Sequence, residues 1–236
     1  MRKVIKKLIL GDNNSSSTKS TGIIKKRIEN IYGIWNNEHH DDVGIEKIFR
    51  LILACTQFLF PGLYIKHFFG KRGSAIQDIA MDFYILGKVL LPLTIIYFQW
   101  VDKYMARYFI IWLLLETLLY VPTLIFASDF FSRPSSYRRS MLMLFLNYLE
   151  IVFSFAFIYS CGNYLNQPFN HWYDSIYFSM ITISSIGIGD FYPVTGIGKL
   201  LVCAQSLIFL MFVVLFINFF SNKVESKGYF DYTNKN

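Results

Sequence analysis

Six consecutive residues, Ser185-Ile186-Gly187-Ile188-Gly189-Asp190, carry the most informative chemistry in the chain, and it is chemistry of the main chain. Glycine tolerates backbone angles that L-residues avoid. A Gly-X-Gly run can therefore aim successive carbonyl oxygens the same way. Four such strands around an axis would make rings of oxygens able to replace the water shell of a large monovalent cation. The stretch before them, 173–184, is apolar but too short to cross a hydrocarbon core about 30 Å thick, which takes about 20 helical residues. It lies between two longer apolar runs, 141–159 and 198–220. A half-span so placed enters the membrane and returns on the same side. Non-helical backbone at that depth survives only inside protein or facing a water-filled cavity. The half-helix ends near Ser184 with about half a negative charge on its C-terminus, and four such ends around one cavity would favour a cation at mid-membrane.

The segment resembles the pore of potassium channels, whose filter reads Thr-Val-Gly-Tyr-Gly-Asp. Ser185 keeps the hydroxyl that the family uses at its innermost ion site, Ile186 replaces Val conservatively, and Gly187, Gly189 and Asp190 are retained. The likeness runs on through Tyr192-Pro193-Val194-Thr195 to Lys199, and covers about residues 140–222. The resemblance implies an all-α membrane protein: a potassium-channel pore domain preceded by additional transmembrane helices and assembled as a homotetramer, since one filter strand per chain needs four chains to close a ring. It implies an outer helix over 141–160, a pore helix over 173–184, the filter over 185–190 and an inner helix over 197–220. K+ would be held by main-chain oxygens of Ser185, Ile186, Gly187 and Ile188, with Gly189 completing the ion-binding strand. Thr182, Ser184, Phe178 and Asp190 would support it. K+ is then the permeant ligand, and no cofactor is expected.

Three departures from the family pattern bear on the filter. Ile188 replaces the filter tyrosine, Ile181 stands where some members carry a Glu, and Phe178 stands where others carry a Trp that binds the filter Asp. Phe offers no N–H, so Asp190 needs another partner or solvent. These changes touch filter rigidity and leave the carbonyl pattern intact. The reading that follows is a potassium-selective channel, less sharply selective than members with the full motif. The alternatives are a non-selective monovalent cation channel of the same fold and a non-conducting membrane subunit that modulates a channel. Between Gly198 and Gly228 there is no glycine, so the inner helix has no glycine hinge near Phe209. Gating would use tilt or rotation of that helix, or the filter itself.

The rest of the chain fits a membrane setting. Of 236 residues, 54% are hydrophobic, 19% aromatic and 17% charged, with a net charge of +7; the mean hydropathy is +0.38. That is too little charge to cover a soluble domain of this size. The basic residues sit beside apolar spans, which points to topology and contact with lipid headgroups rather than to nucleic acid. Cys55, Cys161 and Cys203 are far apart and form no disulfide or metal pattern. His39-His40-Asp41-Asp42 reads as a solvated loop, because adjacent side chains diverge. No nucleophile–base pair or metal cluster suggests an enzyme.

The organisation expected is a basic cytoplasmic or interfacial region over 1–44, with a polar linker at 12–21 and an amphipathic helix at 23–35. Additional membrane helices follow over 45–132, then the pore domain over 133–222 and a cytoplasmic tail over 223–236. Leu8-Ile9-Leu10 is too short an apolar core for a signal peptide, so the first membrane segment would direct insertion into a plasma membrane as a multi-pass protein. Spans are expected at 83–100 and 108–127. The run 45–69 is broken at Pro61-Gly62. With the filter opening outward, Lys66, Lys71, Arg72, Arg133, Arg138, Arg139, Lys223 and Lys227 all fall inside, as positive charge prefers. A spanning 45–69 would strand the basic N-terminal region outside, so the re-entrant or interfacial reading is favoured. No segment repeats arginine every third residue as a voltage-sensing helix does. Glu116 and Glu150 lie mid-span at similar depth. They are candidates for gating or pH sensing, to be protonated, paired with Lys88, or satisfied by polar neighbours.

Overall fold

A computed structural model describes residues 23–36, 44–126 and 137–224. Its helices are α1 (Ile23–Trp35), α2 (Ile45–Thr56), α3 (Pro61–Gly70), α4 (Ser74–Tyr97), α5 (Tyr104–Phe126), α6 (Tyr137–Ser160), α7 (Asp174–Ile183) and α8 (Gly196–Val224). Among the described residues four helical stretches are long and apolar enough to cross a membrane, Ala75–Tyr97, Tyr104–Leu124, Arg138–Ser160 and Gly196–Asn218, and the bent pair Ile45–Leu59 and Pro61–Gly70 makes a fifth if it is one span. The chain divides into two compact units, one of residues 1–91 and 109–135, the other of 92–108 and 136–236. The linker 12–21, the loop His39-His40-Asp41-Asp42, Arg133 and Lys227 lie outside the described residues.

In the first unit, α1 packs on α2 and α3. The helical stretches Ile45–Leu59 and Pro61–Gly70 meet at 68°, at the Pro-Gly break that the sequence marks. The cause is local. A residue before proline is pushed out of the helical region, and Phe60 is extended at φ −117° and ψ 149°. Pro61 then opens α3, where its missing N–H costs nothing.

No side chain of α3's own entry caps it. The cap comes from α5 instead: the Gly62 N–H donates to Glu116 Oε1 at 3.0 Å. The same carboxylate accepts the Tyr84 hydroxyl and lies 3.3 Å from Lys88 Nζ. Lys88 Nζ also donates to Thr117 Oγ1 at 2.6 Å. A Cβ on residue 62 would stand 2.5 Å from Glu116 Oε1, so glycine is needed there for the carboxylate to approach. Of the alternatives left open for Glu116, the pairing with Lys88 is the one found, together with a helix N-terminus whose partial positive charge favours an anion. The group is a polar clamp joining α3, α4 and α5.

Both ends of α4 differ from those read off the apolar runs. The helix expected from 83 begins at Ser74, because Asp78 and Asp82 interrupt the apolar pattern without interrupting the helix. It ends at Tyr97. Gln99 turns left-handed at φ 55° and Trp100–Asp102 form a 3-10 turn, so Trp100 follows the helix rather than closing it.

In the second unit, α7 packs on α6 and α8. Its core is built from Ile151, Val152, Phe155, Ala156, Phe157 and Tyr159 of α6, Phe178 and Ile183 of α7, and Phe212 and Leu215 of α8, all at most 3% exposed.

A candidate cation-coordinating filter

The site is built on a helix too short to span. The 10 residues of α7 rise about 15 Å at 1.5 Å each, half of a hydrocarbon core. Asp174 fixes its start: Oδ2 accepts the N–H groups of Asn170 at 2.9 Å and His171 at 2.8 Å. Its end is a Schellman motif. The Ser185 N–H donates to Thr182 O at 3.1 Å and the Ile186 N–H reaches back to Ile181 O at 3.0 Å. The Ser184 hydroxyl donates to Met180 O at 2.7 Å. The residue that turns left-handed in such a cap is usually glycine. Here it is Ser185, at φ 57°.

The left-handed angle recurs. Gly187 has φ 58° and Gly189 φ 92°, whereas Ile186 and Ile188 are not among the positive-φ residues. Along an ordinary strand successive residues face opposite ways. Reversing the sign of φ at every second residue undoes that alternation and turns successive carbonyls toward one side. Within one chain a Cβ on Gly187 or Gly189 would meet nothing within 4 Å, so there it is the angle and not the space that favours glycine. The strand from Ser185 to Asp190 is exposed on the single chain, Ile186 by 65% and Ile188 by 62%.

The outer end of the strand is tied down by the loop after α6. Asn166 Nδ2 and Gln167 Nε2 donate to Asp190 O at 3.1 and 3.2 Å. The Tyr192 N–H donates to Asn166 Oδ1 at 2.9 Å, and the Asn166 N–H donates to Tyr192 O at 3.0 Å. Leu165 and Pro193 form an antiparallel bridge beside these bonds.

Asp190 does find partners. Its Oδ1 accepts the Phe191 N–H at 2.9 Å, and its side chain meets the Tyr177 phenol. Burial first, then that hydrogen bond and the carboxylate's charge, push the phenol above its ordinary pKa. Phe178, one residue on, points elsewhere. It is 3% exposed and packs edge-on against Tyr159, with ring centroids 4.8 Å apart. Phe191 lies within ring contact of Phe169, Tyr177 and Phe178. Apolar and aromatic packing therefore backs the strand around Phe178 and Ile181, both buried. Thr182 is half-buried in the last turn of α7, and Ser184 is its C-cap.

Behind α7 lies a buried polar link. Gln205 Nε2, on α8, donates to Ser179 Oγ at 2.8 Å and to Ser179 O at 3.1 Å. Gln205 Oε1 accepts the Tyr159 hydroxyl at 2.9 Å. The Ser179 hydroxyl donates to Val152 O at 2.7 Å. Glu116 belongs to the clamp of the first unit, and Glu150 is 1% exposed on α6 in the second.

Sequence reading missed Tyr177, Asn166 and Gln205. Gln205 carried a usable signal, because a lone amide within an apolar span is there to bond another helix. Tyr177 and Asn166 carried none, since their partners are main-chain and carboxylate groups set by the folded loop.

Residues 141–226 match the family described as "Ion channel". That stretch contains the 185–190 strand, α7, most of α6 and all of α8. The chain is 34% identical over 74 residues to a hyperpolarization-activated voltage-gated potassium channel of Methanocaldococcus jannaschii. The alignment covers 31% of this chain and 35% of that relative, so the chain spans about a third of the relative's length. No solved structure matches.

Proposed function

We propose that the ion-channel domain of residues 141–226 assembles in four copies into a potassium-selective pore in the plasma membrane. The observation that carries this reading is the alternation of left-handed angles at Ser185, Gly187 and Gly189 directly after a capped half-helix. Carbonyls of 185–188 turned to one side give each chain one stave of a coordinating cage. Four staves replace the hydration shell of K+, and Na+, being smaller and more tightly hydrated, gains less from the same oxygens. The negative ends of four α7 helices add a field that favours the cation below the cage.

Two further features support four-fold assembly. The filter strand is exposed on one chain, although irregular backbone at membrane depth must be covered by protein or face water. On α8, Leu200, Leu207, Leu210, Val214 and Ile217 are each more than half exposed and recur at helical spacing, as a face lining a pore or a neighbouring copy would.

The test is flux. Purified protein in liposomes with an outward K+ gradient should take up 86Rb+, and bi-ionic reversal potentials should favour K+ over Na+ by at least tenfold. Potentials that track Na+ as closely as K+ would leave a non-selective pore, and absence of flux from an assembled tetramer would remove the channel reading.

A further inference from the structure

Gln205 is 0% exposed, on a helix whose neighbouring residues are almost all apolar. Burying an amide is unfavourable unless its donors and acceptor are used, and here both ends are. Nε2 serves two oxygens of Ser179, and Oε1 takes the Tyr159 hydroxyl. Through the Ser179 hydroxyl the chain of bonds ends on Val152 O. One level of the bundle thus pins α6, α7 and α8 together.

Where that level falls matters. Ser179 lies just before Ile181 and Thr182, the carbonyls that hold the Schellman cap and with it the left-handed Ser185. Gln205 lies near the start of α8, with the remainder of the helix running on to Val224. Between Gly198 and Gly228 the sequence has no glycine, and no proline follows Pro193. A movement of the far half of α8 therefore finds no hinge to absorb it. It arrives at Gln205, where it must either carry Ser179 along or break the bonds.

We propose that Gln205 is a positioning residue for conduction: it transmits displacement of α8 to α7, and so sets the balance between conducting and non-conducting filter. This rests on the channel reading and deepens it, by assigning the part through which an inner-helix movement is felt at the ion-coordinating strand. Tyr159 and Ser179 act through the same link, so their contributions are coupled and not independent.

The test uses the assembled full-length chain in planar bilayers with K+ on both sides, read as the ratio of open to closed dwell time. Gln205→Met keeps the length and removes every bond, and should change that ratio about tenfold. Tyr159→Phe removes one hydroxyl without leaving a void, and should change it in the same direction by about threefold. The double variant should match Gln205→Met alone, because the hydroxyl has no acceptor left to lose. A ratio within twofold of wild type in Gln205→Met overturns the proposal, and so does a double variant equal to the product of the singles. If Gln205→Met does not assemble, Tyr159→Phe decides: an unchanged ratio overturns the proposal and the threefold change upholds it. A wild type that passes no K+ strikes the channel reading instead. The link is then read by amide exchange at Ser185 and Ile186 in the purified assembly, where Tyr159→Phe should speed exchange severalfold and unchanged protection overturns the proposal.

Discussion

Replacing Ser185 by glycine and, separately, by alanine divides two properties that the residue combines. Ser185 holds φ 57° as the last residue of the α7 cap. A left-handed angle costs an L-residue about 1–2 kcal/mol relative to glycine, and glycine gives back about 0.5–1 kcal/mol through the greater freedom of its unfolded chain. Ser185→Gly should therefore stabilise the capped turn by about 0.5–1 kcal/mol per chain, or about 2–4 kcal/mol in the proposed assembly of four. Ser185→Ala keeps the strained angle and gains nothing. Both lose the hydroxyl, which the resemblance places at the innermost ion. The assay is the thermal midpoint of the assembled protein, followed by size-exclusion chromatography after heating, at low and high K+. Ligand binding stabilises the folded state by RT ln(1 + L/Kd), with L the free ligand concentration, and so raises that midpoint with ligand concentration. At low K+ the glycine variant should melt several degrees above the alanine variant, and both should show a smaller rise with K+ than wild type. An alanine variant as stable as the glycine variant would refute the argument from backbone angle. A K+ dependence unchanged in both would refute the role of the hydroxyl.

Other predictions follow from the two polar assemblies. Glu116→Gln removes the carboxylate charge that faces Lys88 and should destabilise the helical unit by about 3–5 kcal/mol, as breaking one side of a buried pair does; adding Lys88→Met should recover most of the loss in folded yield and melting temperature. Tyr177 has a folded pKa raised above the ordinary phenol value of about 10, so its contribution is whole below that value and is lost as pH rises through the folded pKa. Conduction should weaken at alkaline external pH, and Tyr177→Phe should abolish that alkaline step while lowering conduction at neutral pH; a step that survives the substitution would assign it elsewhere. Asn166→Ala removes two bonds at the Asp190 end of the 185–190 strand, each worth about 1 kcal/mol, and under the proposed function should shorten open dwell times with no change in assembly.

Particular residues explain how much of this could be read in advance. Gly187 and Gly189 were legible because the backbone angle itself dictates the residue type, and residue types are what a sequence records. The half-length of α7 was legible for a similar reason, since bilayer thickness sets a ruler against which ten residues fall short. The bend at Pro61 was fixed by sterics of one dipeptide. Ser185 was legible as a hydroxyl and not as a left-handed residue, because serine is ordinarily right-handed and only the Schellman bonds hold it otherwise. The partner of Asp190 depended on which of two adjacent aromatic residues faces the filter, and one position on a helix turns a side chain through about 100°; Tyr177 faces it and Phe178 faces Tyr159. The pairing of Glu116 with Lys88 was one of three alternatives left open by the sequence, beside protonation and polar neighbours, because depth along a helix does not say which side chain stands opposite. The bond of Glu116 to the Gly62 N–H was not legible, because that requires knowing that α3 begins beside α5. The start of α4 at Ser74 was obscured by two aspartates, which lower apolar periodicity without lowering helical order.

The coordination itself is the point on which everything turns, and it is open to direct inspection. Anomalous diffraction from crystals of the purified protein grown in Rb+ or Tl+ locates the ions without reference to any assumed mechanism. Peaks stacked on a four-fold axis, each in contact with main-chain oxygens of Ser185, Ile186, Gly187 or Ile188 from four chains, are the expected result. A filter strand lying off any symmetry axis, or an axis with no ion beside residues 185–188, would contradict it.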